Sequence, residues 1–186
     1  MARVGAGSRA PARIIDLPPR ALRDCFEERG DALQVKSPWQ ECADDLRERS
    51  RRAADAIARR PLARPDGSLG MAMDAAATLF DAGLYYEVHE WLEPYWLRAD
   101  GATRVALQGL IQVAVGFEHR ASGNVSGARA LLAEGCAKLR RGRLPEIDLD
   151  AFERAVRACL EDIGACSVPA PRDLDRAAVP RFPTKS

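Results

Sequence analysis

The sequence predicts an all-α fold, a compact bundle of about five core helices with an additional Arg-rich helix before it. Only two of the 12 prolines lie between residues 67 and 165, and proline is poorly tolerated inside helices. Glycine ends each apolar segment of this stretch, as is common at helix ends. No segment alternates apolar and polar residues with the period of two that is typical of strands. Residues 67–165 are therefore predicted to form the helical bundle domain.

Five segments of the bundle have apolar residues at helical spacing. The predicted core helices are 69–82, 85–99, 103–120, 126–141 and a last one from 148 or 150 to 163. Asn124 is placed to cap the fourth helix, and Asp148 or Asp150 to cap the fifth. Gly109 and Gly116 of the third helix would let a neighbouring helix approach closely.

An additional helix is predicted upstream, because Pro38 suits the first turn of a helix that runs to about residue 60. The Arg-rich helix is assigned to residues 38–64. Residues 47–64 contain seven arginines and only two acidic residues. We expect a solvated face that is partly paired with nearby acids, and contact with an anionic partner is the alternative. No aromatic side chains are interleaved for base stacking, which argues against nucleic acid as a partner.

Both ends of the chain are expected to lie outside the packed core. Six prolines lie at or before residue 65 and four lie after residue 168, and proline lacks the amide donor that a helix needs. Residues 1–37 are predicted to be a flexible extension that can hold a short helix. Residues 168–186 are predicted to be a flexible, Pro-rich C-terminal tail.

The composition is that of a globular protein without a strong charge. The 28 Lys and Arg residues nearly balance the 27 Asp and Glu residues, for a net charge of +1, which gives no global attraction to nucleic acid or to an anionic membrane. No apolar run reaches the roughly 18 residues of a membrane span. The five cysteines form no Cys-x-x-Cys pair, so we expect no disulfide framework and a cytoplasmic location. A homodimer is compatible with the sequence, because a chain this short can have more apolar helix surface than one core covers.

The polar side chains of the second core helix converge on one face. At about 100° per residue, His89, Glu93 and Trp96 fall within about 60° of one another. Glu90 lies one step around the helix and three residues from Glu93. A histidine and two carboxylates can therefore meet within one helical turn.

The third core helix is apolar on nearly every side, so we expect it to be buried all round. Its only polar line consists of Gln108, Gln112 and His119, in a stripe about 40° wide. A buried amide without a partner costs about 1 to 3 kcal/mol, and we expect the second helix to supply the partners. The predicted polar site comprises His89, Glu90, Glu93, Gln108, Gln112 and His119.

Several spaced motifs follow one another in this part of the chain. They are the run 79–90 (LFDAGLYYEVHE), Glu93, Trp96, the run 107–114 (LQGLIQVA), His119, Gly123-Asn124 and Gly127-Ala128. Over about residues 71–141 this order resembles the small prokaryotic family called domain of unknown function 309. The resemblance implies an all-helical bundle in which the His-Glu and Gln-Gly-Leu-Ile-Gln helices pack together, and it implies no activity. Pro94 departs from the family's pattern and predicts that the helix kinks or ends there.

Three interpretations of the polar site remain open. Its six residues can form a buried network that fixes the register of the helices. They can instead hold a small molecule or a metal ion, with His89 or His119 as ligands and Glu90 or Glu93 as the general base of a metal-dependent hydrolase. The sequence assigns no catalytic residue and no cofactor to such a site. The third interpretation is a protein-interaction module of helical hairpins, because turns at 83–86 and 123–124 lie about 40 residues apart.

Overall fold

The computed structural model describes residues 26–29, 32–35, 43–60, 67–165 and 179–184. Its elements are β1 Phe26–Arg29, β2 Ala32–Val35, α1 Ala43–Arg59, α2 Leu69–Asp81, α3 Tyr85–Arg98, α4 Gly101–Ala121, α5 Val125–Leu139 and α6 Leu149–Ala165. The predicted all-α bundle is confirmed, and the bounds of its five core helices agree with the prediction to within two residues. α4 packs against α3 and α5, α2 packs against α1 and α3, and α6 packs against α5.

The helix boundaries follow from local capping and turn chemistry. The Ser68 hydroxyl accepts a hydrogen bond from the amide of Met71 at the start of α2, as N-cap residues do. The Asn124 side chain accepts one from the amide of Gly127 at the start of α5, which confirms its predicted capping role. Gly83 lies in the turn that follows α2 and has a φ of 73°, a conformation that glycine adopts without strain.

A short hairpin that was not predicted from the sequence precedes the bundle. β1 and β2 pair in antiparallel register, with Phe26 opposite Val35 and Arg29 opposite Ala32. These residues of the extension 1–37 thus form strands, and the short helix that the extension could hold was not predicted at particular positions. A signal for the hairpin exists in the pair Gly30-Asp31, the only two residues between β1 and β2, because Gly-X pairs favour tight hairpin turns.

Aromatic side chains form the centre of the core. Phe80 of α2 contacts Tyr85, Phe117 and Phe152 with ring centroids 5.0, 5.5 and 6.2 Å apart. Their edge-to-face geometry is the arrangement that aromatic pairs prefer. This cluster joins α2, α3, α4 and α6 at one point.

The C-terminal segment 179–184 also contributes to this core, which corrects the expectation of a flexible tail at these positions. Phe182 is buried, and the centroid of its ring lies 5.0 Å from that of Phe80 and 5.4 Å from that of Phe152. The proline content of the tail argued only against a helix, and it left open whether an extended segment could pack. The other residues of 168–186 lie outside the described part of the chain.

Glycines allow α4 and α5 to approach closely, as predicted from Gly109 and Gly116. A Cβ atom at Gly116 would lie 2.8 Å from a methyl carbon of the Leu132 side chain. A Cβ atom at Gly109 would lie 3.1 Å from the carbonyl oxygen of Gly135. The two helices are therefore packed at a distance that larger side chains would not permit.

We expect Gly116→Ala to lower the free energy of unfolding by about 1 to 3 kcal/mol, because the added methyl group would overpack a buried contact. Leu132 is fully buried and has little room to move away. Urea unfolding followed by circular dichroism measures the change. Gly70→Ala is the matched control, since its Cβ atom would meet only Ser68 Oγ at 3.6 Å. Equal stability of the two variants would contradict the prediction.

Candidate functional site

α3 holds the candidate site and is anchored to the core by its apolar side. Val88 and Leu92 are fully buried on this side. The helix continues through Pro94 to Arg98, so of the two expected effects of the proline, a kink or an end, it does not end the helix. Arg104 of α4 stabilises the end of α3, because its guanidinium donates to the carbonyl oxygens of Trp96, Leu97 and Ala99 at 3.2 to 3.3 Å.

His89, Glu90 and Glu93 form the candidate ligand group. Each of the three side chains offers one ligand atom, and these atoms all lie within 4.8 Å of one another. His89 Nδ1 is 3.2 Å from Glu90 Oε1. The Glu90 side chain is 3% exposed and that of His89 is 30% exposed, so the carboxylate lies beneath the ring and the ring reaches the surface.

The two carboxylates of this group, Glu90 and Glu93, favour a positive charge beside them. The hydrogen bond to Glu90 raises the pKa of the His89 imidazole, burial of the ring acts against this, and the charges of Glu90 and Glu93 raise it further. Glu90 thus binds the protonated ring more strongly than the neutral one. A metal ion at the same place would be attracted by the same two carboxylates.

Tyr86 and Arg49 surround the group on the α1 side. The Tyr86 ring meets the His89 ring edge to face, with centroids 5.9 Å apart. The Arg49 guanidinium lies 5.4 Å from the centre of the Tyr86 ring. Arg49 also binds Glu87 through two hydrogen bonds, Nε to Oε1 at 2.7 Å and Nη2 to Oε2 at 2.9 Å.

Sequence reasoning missed Arg49 and Glu87, although a signal for Arg49 exists. It lies four residues before Ala53 and eight before Ile57, which are buried, and this spacing places all three on one face of α1. Arg49 was instead grouped with the solvated arginines of the same helix. Glu87 is fully buried, and its sequence neighbours gave no indication of this.

The polar residues of α4 do not join the group on α3. Gln112 Nε2 donates a 2.7 Å hydrogen bond to Glu134 Oε2 of α5, so its partner lies on the other neighbour of α4. Gln108 is partly buried, and His119 belongs to no metal-ligand group in the part of the chain that the structure describes. The expectation that one network would unite the six residues is therefore wrong.

His119 instead lies at the turn between α4 and α5. Its Nδ1 atom is 2.6 Å from Asn124 Nδ2, while Asn124 Oδ1 accepts from the Gly127 amide. The cap fixes which end of the Asn124 amide faces the ring, so Nδ2 donates and His119 Nδ1 accepts. This places the ring proton of a neutral His119 on Nε2.

We predict a pH-dependent contribution of His89 to stability. A raised folded-state pKa contributes stability that is fully present below the unfolded pKa of about 6.5 and is lost as the pH rises through the higher folded value. The difference in free energy of unfolding between the wild type and His89→Gln should therefore be larger at acidic than at alkaline pH. Urea unfolding at several pH values measures it.

Glu90→Gln is the control for this measurement, because it removes the charge that raises the pKa of His89. In the Glu90→Gln background the effect of His89→Gln should vary less with pH. An unchanged difference between wild type and His89→Gln at every pH would refute the assignment.

One segment of the chain matches the model of a known family. Within the described residues no helix is both long and apolar enough to cross a membrane. No curated protein and no solved structure matches the chain. The segment 73–131, which holds all of α3 and α4, matches the model of a family described as domain of unknown function (DUF309). The resemblance predicted from the sequence motifs is thereby confirmed over these residues.

Proposed function

We propose that the domain binds a divalent transition-metal ion through His89, Glu90 and Glu93. The observation that carries the proposal is the convergence of three ligand atoms within 4.8 Å on one helix. His89 and Glu93 are four residues apart and share a helix face, so both can reach the same ion. With both carboxylates ionised and the ring neutral, the group carries two negative charges opposite a divalent cation.

The donor types select the class of ion. An imidazole nitrogen combined with carboxylate oxygens suits zinc, iron and manganese, whereas calcium and magnesium sites are built from oxygen alone. The pairing of His89 Nδ1 with the buried Glu90 carboxylate resembles the carboxylate contacts that orient metal-binding histidines. Glu90 therefore has two uses in this proposal, as a ligand or as the residue that orients His89.

A metal-dependent hydrolase is the finer proposal for the same site. Three protein ligands leave coordination positions for water and substrate, which is the pattern of catalytic rather than structural metal sites. A metal ion in such a site makes bound water a nucleophile near neutral pH. Glu93 is partly buried and is a ligand in this proposal together with His89 and Glu90, so none of the three is assigned as a separate general base.

We expect the wild type, loaded with Zn²⁺ and freed of excess by gel filtration, to retain close to one ion per chain. His89→Ala and Glu93→Gln should each lose most of this ion, since the first removes the ligand nitrogen and the second replaces a charged carboxylate with a neutral, weaker amide ligand. Plasma mass spectrometry of the purified proteins measures the metal content, and circular dichroism verifies that each variant is folded.

His119→Ala is the matched control, because His119 contacts Asn124 at the α4–α5 turn and lies outside the ligand group. It should retain the ion like the wild type. A metal-free wild type, or a His89→Ala variant that keeps its zinc, would refute the proposal and leave the His89–Glu90 pair a structural contact.

A further inference from the structure

Arg49 reaches the candidate site from a helix that lies outside the segment 73–131. It is 38 residues from Glu87 in sequence, yet both oxygens of that buried carboxylate accept its hydrogen bonds at 2.7 and 2.9 Å. It also lies 3.5 Å from Glu118 Oε1 of α4. One guanidinium therefore links α1, α3 and α4 beside the ligand group.

The guanidinium and the imidazole contact the same aromatic ring. Arg49 lies 5.4 Å from the centre of the Tyr86 ring, within the range of a cation–π contact. Tyr86 meets the His89 ring at 5.9 Å. Because the bidentate contact with Glu87 fixes the plane of the guanidinium, Tyr86 is held between Arg49 and His89 and limits the rotation of the His89 ring.

The environment of Arg49 differs from that of its neighbour Arg51. Arg51 is exposed and pairs with Glu48 and Asp55 of its own helix, contacts that are worth little in stability. The Arg49 side chain is 33% exposed against 62% for Arg51, and its partner Glu87 is fully buried, so Arg49 balances a buried charge. That structural role does not by itself require the second contact of Arg49, with the Tyr86 ring.

We propose that Arg49 is a positioning residue of the metal site, which holds Tyr86 against His89 and so preorganises the imidazole for the ion. This inference rests on the proposed function of the ligand group. It also implies that α1 belongs to the working site, although α1 lies outside the segment that matches the family.

The test is a Co²⁺ titration of the full chain, followed by the visible absorption of the bound ion. Residues that orient metal ligands typically change affinity by about 10- to 100-fold, so Arg49→Lys should weaken Co²⁺ binding by about tenfold or more. Its spectrum at saturation should also change, because the ring is no longer held in one orientation. Tyr86→Leu should have the same two effects.

Arg51→Lys is the matched control, an identical change on an exposed face of the same helix, and it should leave affinity and spectrum unchanged. A purely structural role of Arg49 would lower the melting temperature but leave the spectrum of the folded, saturated protein as it is. If Arg49→Lys fails to fold, Tyr86→Leu decides the question.

The outcomes separate this inference from the proposed function. Absence of Co²⁺ binding by the wild type would refute the metal site itself. Binding by the wild type, with the same affinity and spectrum in Arg49→Lys and Tyr86→Leu, would overturn the role of Arg49 alone. Weaker binding and an altered spectrum in both variants, with Arg51→Lys unaffected, would support it.

Discussion

The close approach of α4 and α5 is the constraint on which the arrangement of the other helices depends. A Cβ atom at Gly116 would lie 2.8 Å from Leu132, so only glycine permits this contact. Phe117 is the next residue after Gly116 and lies about 100° further around α4. When Gly116 faces α5, Phe117 is directed towards Phe80 of α2 and Tyr85 of α3. The apolar surface that receives α3 is thus determined by a contact on another side of α4.

A second constraint is the buried charge of Glu87. Removing a carboxylate from water is costly unless a cation and hydrogen bonds replace the lost hydration. Arg49 supplies both, with one donor for each oxygen. Because Arg49 lies outside residues 73–131, the segment that matches the family contains an acid whose cation comes from elsewhere in the chain. The Arg-rich helix is therefore tied to α3 by charge as well as by its buried residues Ala53 and Ile57.

Local patterns were enough to predict the helices, and they were not enough to predict which helix faces meet. Glycine and cap positions reflect backbone geometry, so the helix bounds could be read from the sequence. Gln108, Gln112 and His119 all lie on α4, but helical periodicity does not say which neighbouring helix such a polar stripe faces. Gln112 reaches Glu134 of α5 because the glycines bring that helix close. The burial of Phe182 depends on long-range packing that the proline pattern of the tail does not encode.

The two histidines of the chain are held in different ways, and this difference explains why only one is a candidate ligand. His119 Nδ1 accepts a hydrogen bond from Asn124 Nδ2, because the carbonyl oxygen of Asn124 is committed to capping α5. At His89 the Nδ1–H group instead donates a hydrogen bond to Glu90 Oε1, which leaves the lone pair of the neutral ring on Nε2. The same carboxylate that raises the pKa of His89 would also attract a metal ion at the proposed site. Protons and the ion would then compete for this ring, so Co²⁺ titrations at several pH values should show binding that strengthens as the pH rises through the pKa of His89.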